Sequence, residues 1–254
     1  MSLRFSVITV CYNAREVLPG TVATLAHQTY RPREWVVVDG GSKDGTQDYV
    51  HAAPEPLGPY LSEKDKGIYD AMNKAIALST GDVLFFLNAD DAFHDPEVLA
   101  DVAREFEADP DLDMLWGDIV SLHGEERIAK RFDFINRTTI DFEDLCHQCI
   151  FARKRLFDRV GNFSLDWPTS ADYDWVLRVF RSGAKVKYVR RPMALFKAGG
   201  AHVQNPKALA DERRRLRLQY VPAPLLSVGT FISRAVHKLS RMTTGHAYGE
   251  RSVG

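Results

Sequence analysis

The run Val36-Val37-Val38-Asp39, opening into Gly40-Gly41-Ser42-Lys43-Asp44-Gly45-Thr46, constrains the fold of this chain more than any other stretch. β-Branched residues favour a pleated strand, and an uninterrupted apolar run reads as a strand buried on both faces, as in parallel sheets covered by helices. The run ends on a carboxylate and a glycine-rich turn. The pattern recurs as Val83-Leu84-Phe85-Phe86-Leu87, followed by Asn88-Ala89-Asp90-Asp91. Two such strands bring Asp39 and Asp90/Asp91 to one sheet edge, and open α/β sheets bind ligands beyond the carboxyl ends of their strands. Clustered hard oxygen ligands without thiolates suit Mg²⁺ or Mn²⁺ carrying a phosphate.

Around these runs, strand and helix patterns alternate: strand over Phe5 to Cys11, helix over Val17 to Gln28, strand over Glu34 to Asp39, helix over Gln47 to Ala52. Such alternation predicts an α/β fold with a mostly parallel central sheet flanked by helices. Pro54, Pro56 and Pro59 leave room only for a short strand near Tyr60 to Glu63. A helix follows over Gly67 to Ser79, with Ile68, Met72, Ala75 and Ile76 on its apolar face. Its other face and entering loop carry Lys66, Tyr69, Asp70 and Asn73, which reads either as a solvated face or as one wall of a site. Asp95-Pro96-Glu97 marks the start of a helix running to Glu107. Strict alternation then breaks. Met114 to Leu122 reads as a strand paired antiparallel with Arg127 to Phe134, Gln148 to Ala152 as another strand, and Lys154 to Val160 as a short helix closed by Gly161.

The helix Ala171 to Arg181 begins Ser170-Ala171-Asp172-Tyr173-Asp174. Acids at a helix N-terminus are favoured by the dipole alone, so spacing does not separate a cap from a catalyst there. Residues 206–254 read as a helical extension to a domain over residues 1–205. The extension is arginine-rich between Ala210 and Tyr220 and then amphipathic, with Leu225, Val228, Ile232, Ala235, Leu239 and Met242 opposite Arg234, Lys238 and Arg241. A basic amphipathic helix can lie on an anionic membrane surface or pack on protein.

A formal net charge of −1 over 254 residues argues against nucleic-acid binding. No leader-like or spanning apolar run is visible, and three cysteines fit a reducing compartment. The expected location is cytoplasmic, with peripheral contact at the inner membrane face through the extension. Cys146-His147-Gln148-Cys149 lacks the second ligand pair that structural zinc needs and reads as packed or site-lining thiols. A dinucleotide fingerprint and a P-loop are both absent.

Thr9-Val10-Cys11-Tyr12-Asn13, Val38-Asp39-Gly40-Gly41-Ser42, Lys66 to Lys74, Phe86-Leu87-Asn88-Ala89-Asp90-Asp91, Cys146-His147-Gln148 and Ala171-Asp172-Tyr173-Asp174-Trp175 occur in an order that resembles the family 2 glycosyltransferases of GT-A fold, over residues 4 to 205. The resemblance implies a nucleotide-sugar donor of UDP, GDP or dTDP type, a divalent metal (Mn²⁺ or Mg²⁺), inversion at the anomeric carbon, and a glycan or lipid-linked acceptor. It implies that Thr9, Tyr12, Asn13 and Asp39 hold the nucleoside, with Asp39 accepting from the base imide. Lys66, Asp70, Asn73, Asn88, Ala89 and Asp90 complete the donor site. The Asp-x-Asp metal signature begins here with Asn88, leaving Asp90 as the metal ligand, with Asp91 and His202 beside it. Asp172 matches the general base, and His147, Gln148 and Trp116 the acceptor side, with core packing the competing reading for Trp116. A catalytically silent nucleotide-sugar-binding or scaffold protein is the alternative compatible with Asn88.

Overall fold

The computed structural model describes residues 2–31, 33–53, 55, 57–197, 206–226 and 228–229. Its first half is the expected alternation: β1 (Phe5–Cys11), α1 (Leu18–Ala26), β2 (Arg33–Asp39), α2 (Thr46–Ala52), β3 (Leu57–Ser62), α3 (Ile68–Leu78) and β4 (Val83–Phe86). These strands lie parallel in the order β3-β2-β1-β4. Every residue of β1 and β4 is buried, which is why both read as continuous apolar runs. The turn into α2 needs Gly45, whose φ of +87° is in the left-handed region. Pro59 falls inside β3, an edge strand, where a missing backbone donor is tolerated, so this strand begins earlier than the prolines suggest.

The rest of the chain extends the same sheet. It supplies β5 (Ala92–Phe93), α4 (Val98–Ala108), β6 (Met114–His123), β7 (Glu126–Lys130), β8 (Ile150–Arg153), α5 (Lys154–Val160), α6 (Ala171–Arg181), β9 (Val186–Lys197) and α7 (Pro206–Leu218). Strand β8 inserts antiparallel between β4 and β6, while β9 runs parallel to β6 on its other side. Strand β7 pairs antiparallel with β6 as predicted. Stacked Phe85 and Phe151, with ring centroids 4.1 Å apart, join the parallel half to the mixed half.

Two buried acids in the parallel half, Glu34 and Glu55, are held by several donors. Glu34 accepts from Ser6 Oγ at 2.5 Å, Thr80 N at 2.6 Å and Thr80 Oγ1 at 2.7 Å. Arg33 grips Glu55 through two bonds of 2.8 and 2.9 Å.

Helix α7 packs on the body. Leu216 is buried, Glu212 accepts from Thr169 N at 2.9 Å, and Arg217 pairs with Asp144 at 2.9 Å. Leu225 and Val228 are exposed and Leu226 is buried. The remainder of the predicted amphipathic helix, and His202, lie outside the described residues. Among the described residues no helix is long and apolar enough to cross a membrane.

Candidate active site

Parallel pairing places the ends of β1, β2 and β4 together: Gly40 N donates to Cys11 O at 2.8 Å and Leu87 N to Ile8 O at 2.8 Å. Beyond these ends opens a cleft of about 640 Å³, lined by Tyr12, Gly40, Lys43, Gln47, Ser62 and Asp65 among others. That volume is in the small-molecule range. The Tyr12 ring is 64 % exposed, an unspent aromatic face at the cleft wall. A Cβ on Gly40 would come within 2.8 Å of Asp65 Oδ2 and 3.3 Å of the Tyr12 ring, so only glycine keeps this wall open.

Asp39 lies behind the cleft. It is 0 % exposed, and its oxygens accept from Ser42 N at 3.0 Å, from the Ser42 hydroxyl and from Ser62 Oγ at 2.6 Å. Asp39, expected to accept from a base imide, fastens the loop here, and Ser62, which bonds to it, is the residue of this pair on the cleft lining. Asn13, with φ of +49°, ties the same loop by accepting from Lys43 N at 3.0 Å.

The turn after β4 carries the acids. Thr21 of α1 anchors it, its hydroxyl 2.7 Å from Asp91 O and 2.8 Å from Ala89 O. Asp90 is exposed. Asp91 is 1 % exposed, and neither carboxylate oxygen has a hydrogen-bond partner among the described residues. Burial first, and then the charge of Asp90, push its carboxyl up to about 7. The Gln148 amide and the Lys197 backbone N–H lie close enough to pull it back in part, but neither reaches bonding geometry.

Asp172 stands at the start of α6 with three donors on it. Tyr69 Oη reaches Oδ1 at 2.8 Å, Tyr173 N reaches Oδ1 at 2.9 Å, and His147 Nδ1 lies 3.0 Å from Oδ2. The other ring nitrogen, Nε2, is 3.1 Å from Asn88 Nδ2. Burial alone would raise the Asp172 carboxyl. The hydrogen bond and charge of His147, the charge of Arg213 and the Tyr69 hydroxyl outweigh it and hold the group at about 2. Asp174, its rival in the sequence, is committed to Arg178 one turn on at 2.8 Å. This separates the two acids: Asp174 is tied within its own helix, and Asp172 faces Tyr69 and His147.

Several expected site residues turn out to be packing residues. Thr9 is buried and donates to Leu87 O at 2.8 Å while accepting from Trp35 Nε1 at 3.0 Å, joining three strands. Asn73 exchanges hydrogen bonds of 2.9 and 3.0 Å with the Phe163 backbone. Asp70 accepts from Lys66 N at 3.0 Å and pairs with Lys74 at 3.2 Å, which leaves the exposed Lys66 side chain outside this cluster. Trp116 is 3 % exposed, donates to Phe132 O and packs against Phe180 and Tyr188, so it is core rather than an acceptor contact. Gln148 is 4 % exposed and takes the Cys146 thiol at 2.5 Å.

The sequence set Tyr69 on the polar face as one wall of a site; it is buried on the face that carries Met72 and Ile76, and from there it reaches Asp172. The reasoning from sequence missed Ser62, whose signal was its place at the end of the strand beside Asp39. Among the described residues no three His, Cys, Asp or Glu side chains form a metal cage. The spare oxygens of Asp91 beside exposed Asp90 nonetheless fit a hard divalent cation whose remaining positions are filled by phosphate and water.

Comparison with known proteins agrees with this geometry. A "PGL/p-HBAD biosynthesis glycosyltransferase" of Mycobacterium tuberculosis is 36 % identical over 185 residues, 72 % of each chain. An Escherichia coli chondroitin synthase is 25 % identical over 70 % of this chain and 26 % of its own length. Among solved structures, residues 1–349 of S. aureus TarS with UDP-GlcNAc superpose with a TM-score of 0.72 at 18 % identity, over 96 % of this chain and 74 % of that one. A longer TarS chain is covered to 44 %. The mannosyltransferase PcManGT of Pyrobaculum calidifontis, in complex with GDP-Man and Mn²⁺, gives 0.66 at 17 % identity, over 97 % and 77 % of the two chains. The sequence profile described as "Glycosyl transferase family 2" matches residues 6–161. With that match on a GT-A fold, this chain belongs to glycosyl transferase family 2 and is a sugar-transferring enzyme.

Proposed function

We propose that the chain transfers a sugar from a nucleotide-diphosphate sugar to a hydroxyl of a glycan or lipid-linked acceptor, inverting the anomeric carbon, with Asp172 as general base. The observation that carries this reading is Asp172 itself, a carboxylate oriented by Tyr69 and His147 and linked through His147 to the turn bearing Asp90 and Asp91. The donor nucleoside lies in the cleft, its base against the Tyr12 ring and its polar edge on Ser62. Support comes from the UDP-GlcNAc and GDP-Man complexes of the two structural neighbours, and for the acceptor from the biosynthetic role named for the mycobacterial relative.

In the reaction, the acceptor oxygen attacks the anomeric carbon from the face opposite the diphosphate while its proton passes to Asp172, and the bond to the leaving phosphate oxygen breaks. Proton removal by a positioned carboxylate accounts for roughly 10²–10⁴ in rate. Asp172, held low, is ionised across the working pH range. Asp90 and Asp91 would hold the Mn²⁺ or Mg²⁺ ion. When bound, that ion neutralises charge on the departing diphosphate.

The test is thermal stabilisation by UDP, GDP and dTDP, each with and without Mn²⁺, on wild type and Asp172→Asn. One nucleotide should stabilise both proteins in a metal-dependent way, while only wild type transfers sugar from the matching donor. Transfer at the wild-type rate by Asp172→Asn would remove the base, and no stabilisation by any nucleotide would remove the donor class.

A further inference from the structure

We propose that His147 is the positioning residue for Asp172 and that Asn88 acts through it. In this arrangement the amide braces the far side of the imidazole, and the Nδ1–H bond leaves one lone pair of Asp172 Oδ2 to take the acceptor proton. The proposal rests on Asp172 being the base.

A carboxylate oxygen only accepts, so at 3.0 Å from Asp172 Oδ2 it is His147 Nδ1 that carries a proton and donates. On the far side of the ring the Asn88 amide stands 3.1 Å from Nε2, and its Oδ1 has no other partner among the described residues, so by rotation it meets Nε2 as donor or as acceptor and braces the ring in either case. Asp172 Oδ1 is filled by Tyr69 and Tyr173 N, whereas among the described residues Oδ2 has only His147. The open lone pair of the base is therefore on Oδ2, and the imidazole fixes its direction.

Two measurements test this. Nitrogen-15 NMR of His147 in the ligand-free protein should show Nδ1 protonated, with its signal shifted in Asp172→Asn. This readout needs no donor, so it stands apart from failure of the proposed function. In steady-state release of nucleotide from UDP-GlcNAc, or from the nucleotide sugar that stabilises wild type, His147→Ala should lower kcat roughly 10- to 100-fold at an unchanged donor KM. His147→Asn, whose amide can still donate to Asp172, should recover much of the loss. Asn88→Ala, which removes the brace, should lower kcat by less than His147→Ala does. A bare Nδ1 in wild type, an Asn88→Ala enzyme as fast as wild type, or a His147→Ala defect confined to KM would each overturn the proposal.

Discussion

Asp39 and Asp91 are equally hidden, 0 % and 1 % exposed, one the last residue of β2 and the other in the turn after β4, the two strands that flank β1, yet they are opposite in kind. Asp39 spends its oxygens on Ser42 and Ser62, whereas among the described residues Asp91 spends neither of its own. Burial alone therefore does not distinguish a structural acid from a functional one; hydrogen-bond satisfaction does. A charged group kept from water without partners is costly, and on the proposed function a divalent ion carrying the donor diphosphate completes Asp91.

The largest stability effect should fall on Asp39. Replacing it by alanine strands the Ser42 amide and two hydroxyls, and should lower unfolding free energy by about 2–4 kcal/mol in denaturant titration. An unchanged midpoint would erase the contrast. Asp91 should behave the other way. Its folded-state carboxyl, near 7, lies above the ordinary 3.8, so the folded protein holds a proton that the unfolded chain has released. The contribution of this group is fully present below pH 4 and is lost as pH rises through 7. Ligand-free Asp91→Asn should thus melt higher than wild type at pH 8 with a flatter pH profile, and should lose the stabilisation that Mn²⁺ with nucleotide gives wild type. Smallest is Ser62→Ala, which removes one hydrogen bond to Asp39 for about 1 kcal/mol. By calorimetry this variant should weaken nucleotide binding more than it lowers the melting temperature, and equal small losses in both would make Ser62 merely a fastener.

Much of the fold was legible because burial follows periodicity. The runs in β1, β2 and β4 announced a parallel core, and α6 began and ended where its pattern said. The break after α4 was visible, but the insertion of β8 antiparallel between β4 and β6 was not, because local pattern carries no record of which edges pair. The site was legible in part. Carboxylates at strand ends pointed to Asp90 and Asp91, but other residues expected at the site, Thr9 of β1, Asn73 of α3 and Trp116 of β6, are spent on packing. Residue type near a site does not say which partner takes the hydrogen bond.

By itself, the sequence determined the order of elements, the parallel half of the sheet and the arrival of acids at its carboxyl edge, since these depend on spacing along one segment. Only the tertiary structure decided that Asp172 is free of Arg178 while Asp174 is not, that Asp39 is full while Asp91 is empty, and that His147 bridges Asn88 to Asp172. Each of these depends on how many donors and acceptors from separate segments meet at one point, and only the folded chain sets that number.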